Sequence, residues 1–268
     1  MLSKSGREGM NALSFRVATA LFVLGALVLA ASGPVAAAQS SAVDPAATRI
    51  LKRMTDHLGS LKSFSVNTQL TIEDVTDRDH RIDLDVSAQV TIDRPNRLRS
   101  ERRGDITDQT FVYDGKSLAL FNPGENVYAT EPAPATIEGL LDYTRDSLGL
   151  IVPVADLVYH NAYELLMQDV NYATVIGKTV IGGVTCDHLL FSRPGVDFQV
   201  WVADGVEALP CKYVVTDTAQ PGWVSITTVM SDWDVSPDVS DAVFRFVPPE
   251  GARRIPFMRP GASTPSSP

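Results

Sequence analysis

Phe64-Ser65-Val66-Asn67-Thr68-Gln69-Leu70-Thr71-Ile72-Glu73 places apolar or β-branched side chains at every even position and polar ones between them. After a charged interval, Asp74 to Arg81, the alternation returns. Ile82, Leu84, Val86, Ala88, Val90 and Ile92 are separated by Asp83, Asp85, Ser87, Gln89 and Thr91. A period of two puts alternate side chains on opposite faces of a pleated strand, so one face is buried and one is wet. The stretch from Phe64 to Arg99 therefore predicts two long, antiparallel strands with a continuous apolar inner face.

Upstream, Asp44-Pro45 reads as a helix start, with Asp as N-cap and Pro at the first helical position. Ala47, Ile50, Leu51, Met54, Leu58 and Leu61 follow at three- and four-residue steps, the single apolar stripe of an amphipathic helix. Downstream, Pro95 marks a turn or bulge. The basic run Arg97, Arg99, Arg102 and Arg103 is read as the solvated face of a strand balanced by Glu101 and Asp105, with an anion site as the alternative. Asp114-Gly115 between Phe111-Val112-Tyr113 and Leu118-Ala119-Leu120 predicts a hairpin with a type I′ turn. The first half is thus a helix followed by five or six strands in up-and-down order.

The texture changes at Pro132 and Pro134. Residues 136–150 predict a helix capped by Thr136 and stopped by Gly149, and residues 153–167 a second, partly helical piece. These segments either plug the sheet's core or form a movable lid over an apolar pocket. Strands then return, punctuated by Gly182-Gly183, Pro194-Gly195, Asp204-Gly205 and Pro221-Gly222. Strand-length spacing between turn markers describes an antiparallel meander, not βαβ units. Trp233 and Phe244-Arg245-Phe246 are expected to close the core. The fold class is α+β, mainly β: one large curved antiparallel sheet whose apolar side is covered by the N-terminal and mid-chain helices.

The sequence divides into an expected signal peptide (1–38), one domain (39–257) and a tail expected to be disordered (258–268). Lys4, Arg7 and Arg16 form a basic n-region, Val17 to Ala31 an apolar run, and Ala36-Ala37-Ala38 a small-residue cleavage site. The expected location is the periplasm. The formal net charge of −9 repels phosphate backbones and argues against a nucleic-acid partner. Two cysteines, Cys186 and Cys211, pair by default in an oxidising compartment. One intervening strand would hold their backbones about 9–10 Å apart, too far without a bulge or bend, and both outcomes stay open. No G-x-S-x-G, H-E-x-x-H, P-loop or G-x-G-x-x-G motif occurs, and the four His residues are scattered. The reading is of a protein without catalysis, cofactor or metal.

Several segments together carry a likeness. They are Leu61-Lys62-Ser63-Phe64-Ser65, Asp93-Arg94-Pro95-Asn96-Arg97-Leu98-Arg99, Tyr113-Asp114-Gly115-Lys116-Ser117-Leu118, Gly183 to Leu189, Phe198-Gln199-Val200-Trp201, Leu209-Pro210-Cys211-Lys212 and Pro248-Pro249-Glu250-Gly251-Ala252. Over residues 44 to 257 the chain resembles the predicted periplasmic proteins of the LolA-like lipoprotein-carrier superfamily. The resemblance implies a half-open barrel with an apolar concave face and helices as a lid, and a hydrophobic small molecule or lipid moiety as partner. The expected lining is Phe64, Val66, Leu70, Ile72, Leu84, Val86, Val90 and Ile92 from the strands, with Leu140, Leu141, Ile151 and Leu157 from the lid. A sensor or assembly module contacting an envelope protein is the alternative function.

Overall fold

The computed structural model describes residues 42–150 and 154–257. The expected signal peptide, the tail and Ile151 lie outside the described residues. Helix α1 (Pro45–Ser60) starts as its sequence requires: the Asp44 carboxylate accepts from the Ala46 amide at 2.7 Å, satisfying one of the donors a helix start leaves open. Its stripe of Ala47, Leu51, Met54 and Leu58 is fully buried.

Six strands follow as successive antiparallel neighbours: β1 (Ser63–Val75), β2 (Arg81–Asp93), β3 (Arg97–Gly104), β4 (Thr107–Tyr113), β5 (Ser117–Asn122) and β6 (Val127–Pro132). The β1–β2 pairing runs without a slip from Ser63 opposite Asp93 to Val75 opposite Arg81. In that register Phe64, Val66, Thr68, Leu70 and Ile72 share a face with Ile92, Val90, Ala88, Val86 and Leu84. A one-residue shift would turn the whole apolar set outward, which is why the register is strongly specified.

The lid segment comes next: helix α2 (Ile137–Leu148), a 3-10 turn at Ala155–Leu157 and helix α3 (Ala162–Met167). Thr136 caps α2 by accepting from the Gly139 amide at 3.1 Å, and Gly149 ends it at φ 63°, a conformation that favours glycine. Five strands complete the chain: β7 (Tyr172–Ile181), β8 (Val184–Arg193), β9 (Val196–Ala203), β10 (Pro210–Asp217) and β11 (Ser225–Asp234). The two-residue β12 (Arg253–Arg254) pairs in parallel with β6.

These strands make one open sheet in the order β12-β6-β5-β4-β3-β2-β1-β11-β10-β9-β8-β7. The first meander winds outward from β1 to one edge. The second starts at the opposite edge with β7 and winds back until β11 pairs with β1. The connection between β6 and β7 must therefore span the sheet, and it carries α2, the 3-10 turn and α3 across the concave face. One core holds α1, the lid residues Ile137, Leu140, Leu157 and Leu166, and the concave residues Phe64, Val66, Ile92, Leu189, Phe191, Phe198 and Val200.

Three local expectations change. The Asp114–Gly115 turn is not type I′, which needs positive φ at both central residues; Gly115 alone has it, at 89°. The Asp114 carboxylate instead organises a longer loop, accepting from the amides of Lys116 at 2.9 Å and Ser117 at 2.7 Å. Its burial opposes ionisation, but those amides hold its pKa below the ordinary carboxylate value. Second, the segment around Phe244 does not close the main core; it crosses the outer face. The Arg97 guanidinium lies 5.2 Å from the Phe244 ring and pairs with Asp241, while Phe246 packs on Phe121 and Tyr128. Third, β11 does not start directly after the Pro221-Gly222 turn marker but at Ser225, Trp223 having φ 49°.

Cys186 on β8 and Cys211 on β10 are joined in a disulfide across β9. The β9–β10 register shifts between Pro210 and Lys212, so Cys211 is the extra residue of a bulge. The bulge brings the two Cα atoms to 7.0 Å, closer than regular strand spacing allows.

Candidate functional site: a cleft between sheet and lid

Two cavities lie between the concave face and the lid. The larger has a volume of about 220 Å³ and is walled by Leu141, Leu150, Val154, Ala155 and Tyr159 of the lid segment and by Tyr213, Val215, Ile226 and Thr228 of β10 and β11. The smaller, about 60 Å³, sits over β3 to β5 and is lined by Leu98, Ser100, Arg102, Gln109, Phe111 and Leu120. Leu141 and Leu150 line both. They form the partition of one cleft that runs beneath the C-terminal end of α2. Neither cavity has a His or Cys among its described lining residues.

Strand register builds the lining. Tyr213 faces Thr228 and Val215 faces Ile226 across β10–β11, while Leu70 faces Thr228 and Ile72 faces Ile226 across β1–β11. The rows of β1 and β2 therefore continue into the second meander. On the other side, Leu98 opposes Tyr113, Ser100 opposes Phe111 and Arg102 opposes Gln109. Phe111, Leu120, Leu150, Val215 and Ile226 are only half-buried, so apolar surface stays open in the cleft.

Of the twelve lining residues expected from sequence, Leu141 alone borders either cavity among the described residues. The structure places Phe64, Val66, Ile92, Leu140 and Leu157 in the packed core. Leu70 and Val86 are buried, and Ile72, Leu84 and Val90 half-buried, on the same face. Helix α1 accounts for part of the difference. It packs against β7, β9 and α3 and supplies core residues alongside Phe64, Val66 and Ile92. Sequence reasoning passed over Val215, Ile226 and Thr228. Their alternation was legible, but which strand they would lie beside was not.

Two polar devices hold the lid. Arg94, in the turn between β2 and β3, donates to the Val158 carbonyl at 2.6 Å and lies 3.5 Å from the Glu138 carboxylate of α2. Burial lowers its pKa and Glu138 opposes that shift. Tyr159 donates to Asp142 of α2 at 2.9 Å, and burial followed by that hydrogen bond pushes its pKa up to about 12. Arg145 at the rim pairs with Asp142 and Asp146.

A third recess, about 490 Å³, lies at the rim by the disulfide. It is lined by residues such as Val184, Val206, Pro210, Cys211 and Trp233, and no described residue of the lid contributes. Among the described residues no group of His, Cys, Asp and Glu side chains is arranged to hold a metal ion.

A search of curated proteins gives no match. Among solved structures, an uncharacterized conserved protein from Thermus thermophilus aligns with TM-score 0.46 and 13% identity, over 79% of this chain and 99% of that one. The Mycobacterium tuberculosis lipoprotein LppX aligns with TM-score 0.43 and 16% identity, over 74% and 100%. A LolA-superfamily protein from Nitrosomonas europaea aligns with TM-score 0.38 and 14% identity, over 75% and 97%. The family model described as a predicted periplasmic protein, DUF2092, matches residues 47–258, so the chain belongs to the DUF2092 family of predicted periplasmic proteins.

Proposed function

We propose that this protein is a periplasmic carrier or binding protein for a lipid, an acyl chain or another hydrophobic ligand, and that it works by partition without catalysis. The observation that carries the reading is the half-buried apolar lining of a cleft covered by a tethered lid. An acyl chain leaving water gains about 0.8 kcal/mol per buried methylene. Such a gain needs apolar wall that the protein's own side chains have not already filled, and Val215, Ile226, Phe111 and Leu120 supply it. Lid opening would govern entry and release. Export through residues 1–38 belongs to the same proposal.

Native mass spectrometry of protein purified from its own periplasm tests the reading. A copurifying lipid mass, absent from a Val215→Trp variant that remains folded, supports it. Bare protein that also refuses added lipids overturns it. A second reading, contact with an envelope protein, rests on a different feature. The edge strand β7 pairs with Val43 at Ala173, and beyond that point it exposes Ile176 and Val180, with Val184 beside them at the start of β8, at 54%, 64% and 46% relative exposure. An uncovered apolar strand edge is a surface on which another chain can pair. Crosslinking from position 180 in the periplasm, with and without an Ile176→Lys substitution, tests that reading.

A further inference from the structure

The four arginines of β3 do not share a fate. Arg97, Arg99 and Arg103 point to the outer face, and each has a carboxylate: Asp93 and Asp241 for Arg97, Glu101 for Arg99, Asp108 for Arg103. Arg102 is offset by one residue from its neighbours and so points inward. It opposes Ala88 of β2 and Gln109 of β4 on the concave face and lines the smaller cavity. Among the described residues no carboxylate and no hydrogen-bond acceptor serves its guanidinium. Burial alone displaces its pKa, downward, with no acidic neighbour opposing the shift.

An ionised side chain half-removed from water without a partner is costly, and native proteins keep such groups where something else supplies the partner. The surroundings leave room for it. Ala88 and Ser100 are small, and the remaining wall is Leu98, Phe111, Leu120, Leu141 and Leu150. One step along the same ladder, opposite Gly104, the buried Thr107 Oγ1 also lacks a partner. A cation, an amide and a hydroxyl thus gather in the lining at one end of the cleft, with the Thr107 hydroxyl next along the strand; the other compartment also carries Asp156 and Arg145, but that arginine is already paired with Asp142 and Asp146.

We infer that the ligand of this cleft is an anionic amphiphile, with its negatively charged head on the Arg102 guanidinium, beside Gln109 and Ser100, and its chain running under Leu141 and Leu150 towards Val215 and Ile226. This rests on the binding reading above and narrows it to a substrate class. A guanidinium presents its donors in a planar fork that matches a carboxylate or a phosphate, and charge-assisted bonds of this kind are stronger than neutral ones. A free fatty acid and a lipid phosphate both offer that chemistry.

The test is a binding panel on the full mature protein using four molecules with the same sixteen-carbon tail: hexadecanoate, monohexadecyl phosphate, hexadecanol and hexadecyltrimethylammonium. Titrations are read by calorimetry below the critical micelle concentration. The expected result is that one or both anions bind at least about tenfold more tightly than the alcohol, with the ammonium weakest. In Arg102→Gln the anion preference collapses to near unity while alcohol binding persists, and Arg102→Lys recovers part of it. Preference for the carboxylate identifies a fatty acid as the source, and preference for the phosphate a phospholipid head. Equal binding of all four, or an anion preference unchanged in Arg102→Gln, overturns the assignment and leaves the carrier reading standing. Binding of none overturns both. Circular dichroism of each variant confirms that loss of preference is not loss of fold.

Discussion

Leu140 and Leu141 are neighbours on α2, both buried, at 0% and 4% relative exposure, yet their surroundings differ. Both belong to the main hydrophobic core, but Leu140 borders neither cavity, whereas Leu141 is also part of the partition between the two. Truncating either to Ala removes roughly 2–3 kcal/mol of transfer free energy, at about 0.8 kcal/mol per methylene-sized group. The new void adds a second cost where the packing was closed. Leu140→Ala should therefore cost about 3–5 kcal/mol in total. Leu141→Ala, which only enlarges existing space, should stay near the transfer value of roughly 2–3 kcal/mol. Urea denaturation followed by far-ultraviolet circular dichroism measures both, and an unchanged slope with a shifted midpoint identifies a stability effect. For a chain of this size each kcal/mol moves the thermal midpoint by about 2–4 °C, so the two variants should also separate in a melt. Leu141→Ala should in addition accept longer ligands, because it joins the cavities. If Leu141→Ala proves as destabilising as Leu140→Ala, or more so, the partition is ordinary core and the cleft reasoning fails.

Arg94→Ala should loosen the lid: loss of the bond to the Val158 carbonyl and of the Glu138 pair is expected to cost about 1.5–3 kcal/mol. Faster amide exchange confined to the lid would show it, and unchanged exchange there would refute it. Because Tyr159 has its pKa raised from 10.0 to about 12, its contribution is complete below pH 10 and is lost as pH rises through about 12. Stability measured from pH 8 to 12 should fall over that window, and less steeply in Tyr159→Phe; parallel curves would remove Tyr159 from the account. The Cys186–Cys211 bridge closes a loop with a sequence separation of 25, for which chain entropy gives about 3.5 kcal/mol. The Cys186→Ser/Cys211→Ser variant should unfold about 7–14 °C lower, and an unchanged midpoint would show that strand pairing already supplies the constraint.

Sequence by itself determined the local grammar. The alternation from Phe64 to Ile92 fixed two strands and their buried face, and the pairing observed is the one that keeps every apolar residue on that face. Asp44 and Thr136 start helices where capping chemistry requires, and Gly149 ends one. These features were readable because each depends on residues within a few positions of one another. Tertiary structure decided what depends on distant partners. Whether an inward apolar residue is core or cleft wall turned in part on where α1 lies, which put Phe64 and Ile92 in the core, while Val215 and Ile226 stayed open. Whether Cys186 reaches Cys211 turned on a bulge in a third strand's pairing. The basic run looked uniform along the chain. Arg99 meets Glu101 on its own strand, a pairing already visible along the chain, but the partners of Arg97 and Arg103 and the inward setting of Arg102 were decided by the strands on either side of β3, because those contacts are made across the sheet.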